Sequence, residues 1–374
     1  MNGAGVSGHT AGLGLPAHLA PPTPGTPRPQ LGWLAARRGP RELARIRALL
    51  PGVLAQLSEQ HGVACRDWLA APGIWTSTGT ATFQLGPAPG EPAALLRLSP
   101  SGRQRFQRES EVLGQLTRGS TAVLPRRLAA GSAHGCPFVL DAFIPGRSAA
   151  ALVGDARWPS VQGAALAAIN GLHREFARPL VVGEDVLGHW VDAPLAVLRR
   201  RISRLPGVSL SSRVDRLGEL LTNSLAGRKL DATWVHGDFW AGNLLVDETT
   251  SDLTGIVDWD LAAPRELPVH DYLHLLVYRR RELSGRNLGD VVCDLLRERD
   301  GWSTQERTAL AGADWCFHED PPPGRALLLL HWLRHVAAVS VHQRSYVNHS
   351  VLVWELRNVH QVLRALPGRS RQVL

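Results

Sequence analysis

Lysine is almost missing from this chain: of its 41 basic residues, Lys229 is the sole lysine and the other 40 are arginine. A P-loop needs a lysine followed by Ser or Thr, and Lys229 is followed by Leu230, so that phosphate cradle is excluded. Cysteine is scarce as well. Cys65, Cys136, Cys293 and Cys316 lie far apart, with no C-x-x-C pair and no His/Cys cluster at zinc spacing. They read as reduced, partly buried thiols of a cytoplasmic protein. No apolar run approaches the roughly 18 to 20 residues that a spanning helix needs, so no membrane partner is expected. There is no G-x-S-x-G nucleophile elbow and no H-E-x-x-H zinc motif.

What is present is a globular composition. With 374 residues, 44% of them hydrophobic, the chain is long enough for two to three domains of about 150 residues each. The formal charge is 41 minus 33, or +8, a balance that favours phosphates or nucleic acid. Only the short run Arg279 to Arg281 supports the second, without a nucleic-acid motif or interleaved aromatics, so no nucleic-acid partner is expected. Oligomeric state leaves no mark on the sequence.

Residues 1–40 contain eight glycines, seven prolines and no acidic residue, which reads as a disordered tail. Within it, Gly3-Ala-Gly5-Val-Ser-Gly8 matches the dinucleotide pattern G-x-G-x-x-G, but no strand can precede it and Pro16 stands where a helix should run. From Arg41, Leu43, Ile46, Leu49, Leu50, Val53, Leu54 and Leu57 recur at helical spacing until Gly62. Residues 73–98 are strand-like: Thr76, Thr78, Thr80, Thr82 and Phe83 alternate around Gly79, a Pro/Gly turn follows, and Ala93 to Leu98 form an apolar run carrying Arg97. Phe106, Ser110, Leu113 and Leu116 mark a helix that also carries Glu109 and Glu111, and Pro137 to Gly146 supply a short buried strand ending in a turn. Beyond Gly146 the pattern is mostly helical, except for a hairpin within 233–260. A small β-rich lobe followed by a larger helical lobe gives an α+β arrangement with a cleft between them.

The chemistry concentrates in His236-Gly-Asp238-Phe-Trp-Ala-Gly-Asn243, followed fifteen residues after Asn243 by Asp258 in Ile-Val-Asp-Trp-Asp. Phosphoryl transfer accounts for this set. One carboxylate must orient and deprotonate an attacking hydroxyl, while an amide oxygen and a second carboxylate hold Mg²⁺ on the phosphates. Asp238 and Asn243 have the spacing of a kinase catalytic loop, and two hard oxygen ligands suit an ion that leaves the rest of its shell to water and phosphate.

His-Gly-Asp-x-x-x-x-Asn followed by Val-Asp-Trp resembles the aminoglycoside phosphotransferase and choline kinase family of small-molecule kinases over most of residues 70–366. The resemblance implies a bilobal protein-kinase-like fold, with a nucleotide-binding lobe at 41–143 and a helical lobe with the catalytic loop and acceptor site at 144–374. It implies a phosphotransferase moving the γ-phosphate of ATP or GTP to a hydroxyl of a small molecule, with Mg²⁺ as cofactor. By the same resemblance, Asp238 is the catalytic base, Asn243 and Asp258 are the metal ligands, and His236 and Asp271 support the loop. Thr76 to Phe83, with Thr78, Gly79 and Thr80 at its turn, covers the phosphates. Arg97, where lysine is usual, pairs with Glu109 to grip them, and Asp141 to Ile144, including Phe143, form the hinge that meets adenine.

Each assignment has an alternative. His236 can fix the backbone of a turn instead of taking part in chemistry. Asp260 is a third metal ligand or an exposed or capping carboxylate, and Glu111 competes with Glu109 from another face of the helix. Trp240 and Trp259 stack on substrate or pack beside the loop. The whole chain could instead be a kinase-like nucleotide-binding or interaction module without catalysis, against which stands the complete set of Asp238, Asn243 and Asp258.

The acceptor leaves a weaker trace. Asp271 to Leu374 holds 14 arginines against six aspartates and five glutamates, or 14 minus 11, a net +3. A polyamine pocket needs carboxylates to offset each ammonium as it loses water, so a neutral or anionic hydroxylated metabolite such as a sugar is expected, unless Glu319, Asp320 and Glu355 alone line the pocket.

Overall fold

The computed structural model describes residues 32–76, 79–100, 103–117, 123–202, 210–298, 301–342 and 353–366. The glycine- and proline-rich stretch 1–31, with its G-x-G-x-x-G match, lies outside the described residues. Helix α1 spans Gly32–His61 and contains Pro40 and Pro51, so it begins nine residues before the position that hydrophobic periodicity marks. Residues 32–40, expected to belong to the disordered tail, are helical, and the helix runs on past Pro40. Ile46, Leu50, Val53, Leu54 and Leu57 form its buried stripe.

That stripe packs on an antiparallel sheet. Its strands are β1 (Leu69–Ala70), β2 (Ile74–Trp75), β3 (Ala81–Gly86), β4 (Ala94–Leu98), β5 (Arg127–Ala133) and β6 (Cys136–Ala142), ordered β1-β3-β4-β6-β5 with β2 also on β3. β2 and β3 pair antiparallel, with Ile74 opposite Thr82. Phe83, Leu85, Leu96 and Phe138 close the small core against α1. Register places Arg97 opposite Val139 on one side and Thr82 on the other. Helix α2 (Arg103–Leu116) carries Glu109 toward this sheet and buries Val112, Leu113 and Leu116 in the second, larger core. It therefore ties the two cores together.

The larger lobe is built on helices α3 (Trp158–Glu175), α4 (Glu184–Leu187), α5 (Ala193–Ile202), α6 (Ser211–Leu225), α7 (Val269–Ser284), α8 (Leu288–Arg297), α9 (Thr304–Ala311) and α10 (Gly324–His342). Two small antiparallel sheets interrupt them. One joins β7 (Arg147–Ser148) to the hairpin β10 (Leu244–Val246) and β11 (Leu253–Ile256), the hairpin expected within 233–260. The other joins β8 (Arg178–Val181), β9 (Lys229–Val235) and β12 (Ala263–Glu266), which periodicity did not mark because Asp231 and Thr233 break the apolar run of β9. β9 ends at Val235 and delivers the chain into the His236 loop, while β10 and β11 deliver Asn243 and Asp258 to the same end of their hairpin. The Val257 N–H donates to the Asn243 carbonyl at 2.9 Å. Among the described residues no helix is long and apolar enough to cross a membrane.

Candidate active site

The loop from His236 to Asn243 is held from beneath by Asp271 in the first turn of α7. Its fully buried carboxylate accepts the His236 N–H at 2.8 Å, the Gly237 N–H at 3.0 Å and His173 Nε2 at 3.0 Å. Burial pushes this carboxyl up, but the His173 contact and the backbone donors hold it below the usual carboxylate range. Gly237 is left-handed at φ 80°, and a Cβ there would lie 2.5 Å from the Leu261 carbonyl oxygen, so the turn requires glycine. His236 is fully buried. Its Nδ1 accepts the Asp238 N–H at 3.3 Å, so its Nε2–H donates to the Val257 carbonyl at 2.9 Å. Burial lowers its affinity for a proton, and the neutral ring acts as a brace for the turn.

Asp238 is fixed through both carboxylate oxygens. Oδ2 accepts from Asn243 Nδ2 at 3.1 Å, and Oδ1 lies 3.1 Å from His274 Nε2, one turn into α7. Burial pushes its carboxyl up, but the contact with His274 outweighs this and brings it to about 2. Asn243 Nδ2 also donates to the Asp238 carbonyl at 2.8 Å, which turns Asn243 Oδ1 the other way; that oxygen is buried and has no hydrogen-bond partner.

Asp258 adopts a left-handed backbone, φ 68° and ψ 61°, uncommon for a residue other than glycine. Its Oδ1 accepts from Arg105 at 3.1 Å, and the same guanidinium reaches Asp260 Oδ2 at 2.6 Å. Burial and repulsion by Asp258 push the Asp260 carboxyl up to about 7 despite Arg105. Among the described residues no three His, Cys, Asp or Glu side chains could hold a metal ion on their own. The set still fits Mg²⁺: a buried amide oxygen without a partner and a carboxylate at one hairpin end are hard donors that leave positions for phosphate and water.

In the smaller lobe, Arg97 donates to Glu109 at 2.7 Å and to Asp141 at 2.9 Å. Arg127 answers it, with Nε 2.5 Å from Asp141 Oδ1 and a terminal nitrogen 3.6 Å from Glu109. Two guanidinium groups and two carboxylates thus form one cluster on β4, β5, β6 and α2. Glu111 lies outside it, accepting from Gln107 at 2.9 Å. The Asp141 side chain belongs to the cluster, while the Phe143 N–H at the end of β6 donates to the Ala93 carbonyl at 2.9 Å. Thr78 lies outside the described residues. Gly79 is left-handed at φ 77° and its N–H donates to the Thr76 carbonyl at 3.1 Å, while the Thr80 N–H donates to Thr76 Oγ1 at 3.1 Å. Both N–H groups are therefore spent inside the turn.

Sequence reasoning missed Arg127, Arg105 and His274. Arg127 opens a strand that was not marked, and Arg105 lies one turn before Glu109 on α2. His274 had a signal in His-Asp-Tyr-Leu-His, three residues after Asp271 and so one helical turn away. Trp259 packs: it is fully buried, its Nε1 donates to the Ile256 carbonyl at 2.8 Å, and its ring lies 4.5 Å from that of His236. Trp240 remains partly exposed, 5.9 Å from the Tyr278 ring. Glu355 is bound to Arg201 at 2.8 Å. Glu319 and Asp320 follow His318, whose N–H bonds the Lys229 carbonyl at the far end of β9, roughly 20 Å of strand from the His236 loop.

Residues 77–304, more than half of the chain, match the sequence model of the phosphotransferase enzyme family, APH. No curated protein sequence is a significant match. Among solved structures, an aminoglycoside-phosphotransferase-like protein from Ralstonia eutropha JMP134 is 14% identical with a TM-score of 0.53, over 84% of this chain and 96% of that one. Aminoglycoside phosphotransferase APH(3'')-Id from Streptomyces rimosus is 17% identical at a TM-score of 0.46, over 78% of this chain and 98% of that one. Choline kinase from Cryptosporidium parvum Iowa II is 12% identical at 0.48, over 84% of this chain and 97% of that one. The bilobal kinase-like architecture and the match across both lobes agree: this chain belongs to the phosphotransferase enzyme family and is a small-molecule kinase.

Proposed function

We propose that the chain transfers the γ-phosphoryl group of ATP or GTP to a hydroxyl of a small metabolite. The observation that carries this reading is the pairing of Asp238 with Asn243, whose amide nitrogen orients the carboxylate while its own oxygen is left buried and without a partner. Asp238 accepts the proton of the attacking hydroxyl and holds that oxygen in line with the phosphorus. Asn243 Oδ1 and Asp258 would hold Mg²⁺, which would offset the negative charge of the nucleotide phosphates. Arg97, positioned by Glu109 and Asp141, supplies fixed positive charge to the nucleotide phosphates; the turn at Gly79 and Thr80 covers them, and Asp141 to Phe143 border the adenine or guanine base. Asp271, His236 and Gly237 keep the loop in this conformation without touching substrate.

The test is nucleotide consumption with ATP and with GTP, with and without Mg²⁺, across a panel of hydroxylated metabolites, with the phosphorylated product identified by mass. Acceptor-stimulated, Mg²⁺-dependent release of ADP or GDP is expected. Nucleotide binding with no transfer to any member of the panel would count against catalysis.

A further inference from the structure

The surface that continues from Asp238 toward α10 is made of rings. His274 Nε2 meets Asp238 Oδ1, and one turn along α7 the Tyr278 ring stacks on His274 with centroids 4.2 Å apart. The Tyr278 hydroxyl is hydrogen-bonded to His335 Nε2 of α10 at 2.9 Å, and Trp240 of the catalytic loop borders the same ring. Tyr278, His335 and Trp240 are partly exposed. We propose that this Tyr278–His335 pair, with Trp240 beside it, is the acceptor-binding wall and selects an uncharged, sugar-like polyol over a polyamine. The inference rests on the phosphotransfer reading above and names the substrate class of that site.

Hydrogen-bond capacity is the first argument. If the Tyr278 O–H donates to His335, its oxygen keeps a lone pair for a substrate O–H; if His335 donates, the Tyr278 O–H is left to reach a substrate oxygen. A hydroxyl group is donor and acceptor, so it satisfies either arrangement. An ammonium only donates, and it brings a charge that must be offset.

The charge is not offset here. Burial and the neighbouring His274 hold the His335 imidazole low, at about 3, so it is neutral at pH 7. The Arg281 guanidinium lies 5.1 Å from the Tyr278 ring and repels a second cation. α10 carries no acidic residue within Gly324–His342. Glu266 is engaged by Arg334 and by His189, and Asp271 is spent beneath the loop. On α7 that leaves Glu282, one turn beyond Tyr278, whose carboxyl burial pushes up to about 7. Apart from Asp238, an ammonium on this wall would have Glu282 to meet, and that carboxyl is only partly ionised near neutral pH. Trp240 completes the wall because Gly242 makes room for it: a Cβ at that position would lie 2.3 Å from the indole.

The test compares neutral sugars and polyols with aminoglycosides as acceptors for the full-length enzyme, at one nucleotide and Mg²⁺ concentration, alongside the slow hydrolysis of nucleotide in water. At least one uncharged polyol should exceed every aminoglycoside in kcat/KM. Tyr278→Phe, which keeps the ring and its stacking, should raise acceptor KM about 5- to 10-fold, the loss of one hydrogen bond, with nucleotide KM unchanged. His335→Leu should do the same, and Glu282→Gln should leave acceptor KM unchanged. An aminoglycoside equal to or better than every polyol, no stimulation by any polyol, an unmoved acceptor KM in Tyr278→Phe, or loss of acceptor use in Glu282→Gln overturns the proposal. With transfer to some acceptor retained, these outcomes leave the phosphotransfer reading standing. Failure to bind nucleotide overturns both.

Discussion

Asn243 directs its amide nitrogen at Asp238 twice, to the carbonyl and to carboxylate Oδ2, and thereby leaves Oδ1 buried with no protein partner. A buried acceptor without a partner carries an energetic penalty, which a bound cation would relieve. Asn243→Ala removes both this oxygen and the brace on Asp238. The Mg²⁺ concentration for half-maximal turnover is expected to rise roughly 10- to 100-fold, by analogy with other disturbed metal shells. Titrating turnover against Mg²⁺ at saturating nucleotide checks this, and an unchanged midpoint would remove Asn243 from the metal shell.

Asp238→Asn keeps the shape of the side chain but replaces the proton acceptor with an amide. kcat should fall roughly 10²- to 10⁴-fold, the usual range for a lost general base, with nucleotide affinity little changed. Because the contact with His274 holds the Asp238 carboxyl at about 2, it is ionised at any pH where the enzyme is active. The wild-type pH profile should therefore show no acid limb from Asp238 between about pH 5 and 8. Near-normal turnover in the variant would assign the base elsewhere.

The catalytic loop was legible in the sequence because its chemistry depends on residues close together in the chain, with Asp238, Gly237 and Asn243 in one turn and Asp258 just beyond a hairpin. The partners that hold it were less so. Asp271 stood out only through the family resemblance, and His173, 98 positions before it, gave no local signal for a contact made by packing α3 against α7. The same holds for Arg127. β5 reads Arg-Leu-Ala-Ala-Gly-Ser-Ala, with too little alternation to mark a strand, yet pairing with β6 places its arginine on Asp141. Helix α1 shows the limit of local rules in the other direction, since Pro40 reads as a stop but lies inside the helix.

The arginine cluster predicts separable effects. Arg97 touches Glu109 and Asp141 with one nitrogen, so Arg97→Lys should keep partial activity, whereas Arg97→Ala should lose nucleotide affinity. Arg127→Ala leaves Asp141 and Glu109 sharing a single guanidinium in a mostly buried setting. Stability should drop by about 2 to 3 kcal/mol, toward the lower end for a broken buried pair because Arg127 is partly exposed. Urea denaturation of the three variants beside nucleotide titrations distinguishes the cases. Equal, small effects of all three would place the cluster outside the binding cleft.

The buried histidines predict how stability varies with pH. His236, His270 and His331 are each held neutral, below the ordinary imidazole range, mainly by burial. In the unfolded chain these rings take up protons near pH ~6.5, while in the fold they do not. The unfolded state therefore binds more protons as pH falls, so stability is full above that pH and declines below it. Each ring contributes up to about 1 kcal/mol of loss between about pH 6.5 and 5.5, or about 3 kcal/mol for the three together. His270 isolates the effect, because neither of its ring nitrogens has a hydrogen-bond partner among the described residues. His270→Leu removes a titrating group and two unsatisfied atoms, so it should take up to about 1 kcal/mol out of the loss between about pH 6.5 and 5.5 and be neutral to stabilising by ~1 kcal/mol near pH 7.5. Urea midpoints at three pH values, about 7.5, 6.5 and 5.5, for wild type and variant provide the measurement. An unchanged pH dependence in His270→Leu would show that the fold does not keep this ring neutral.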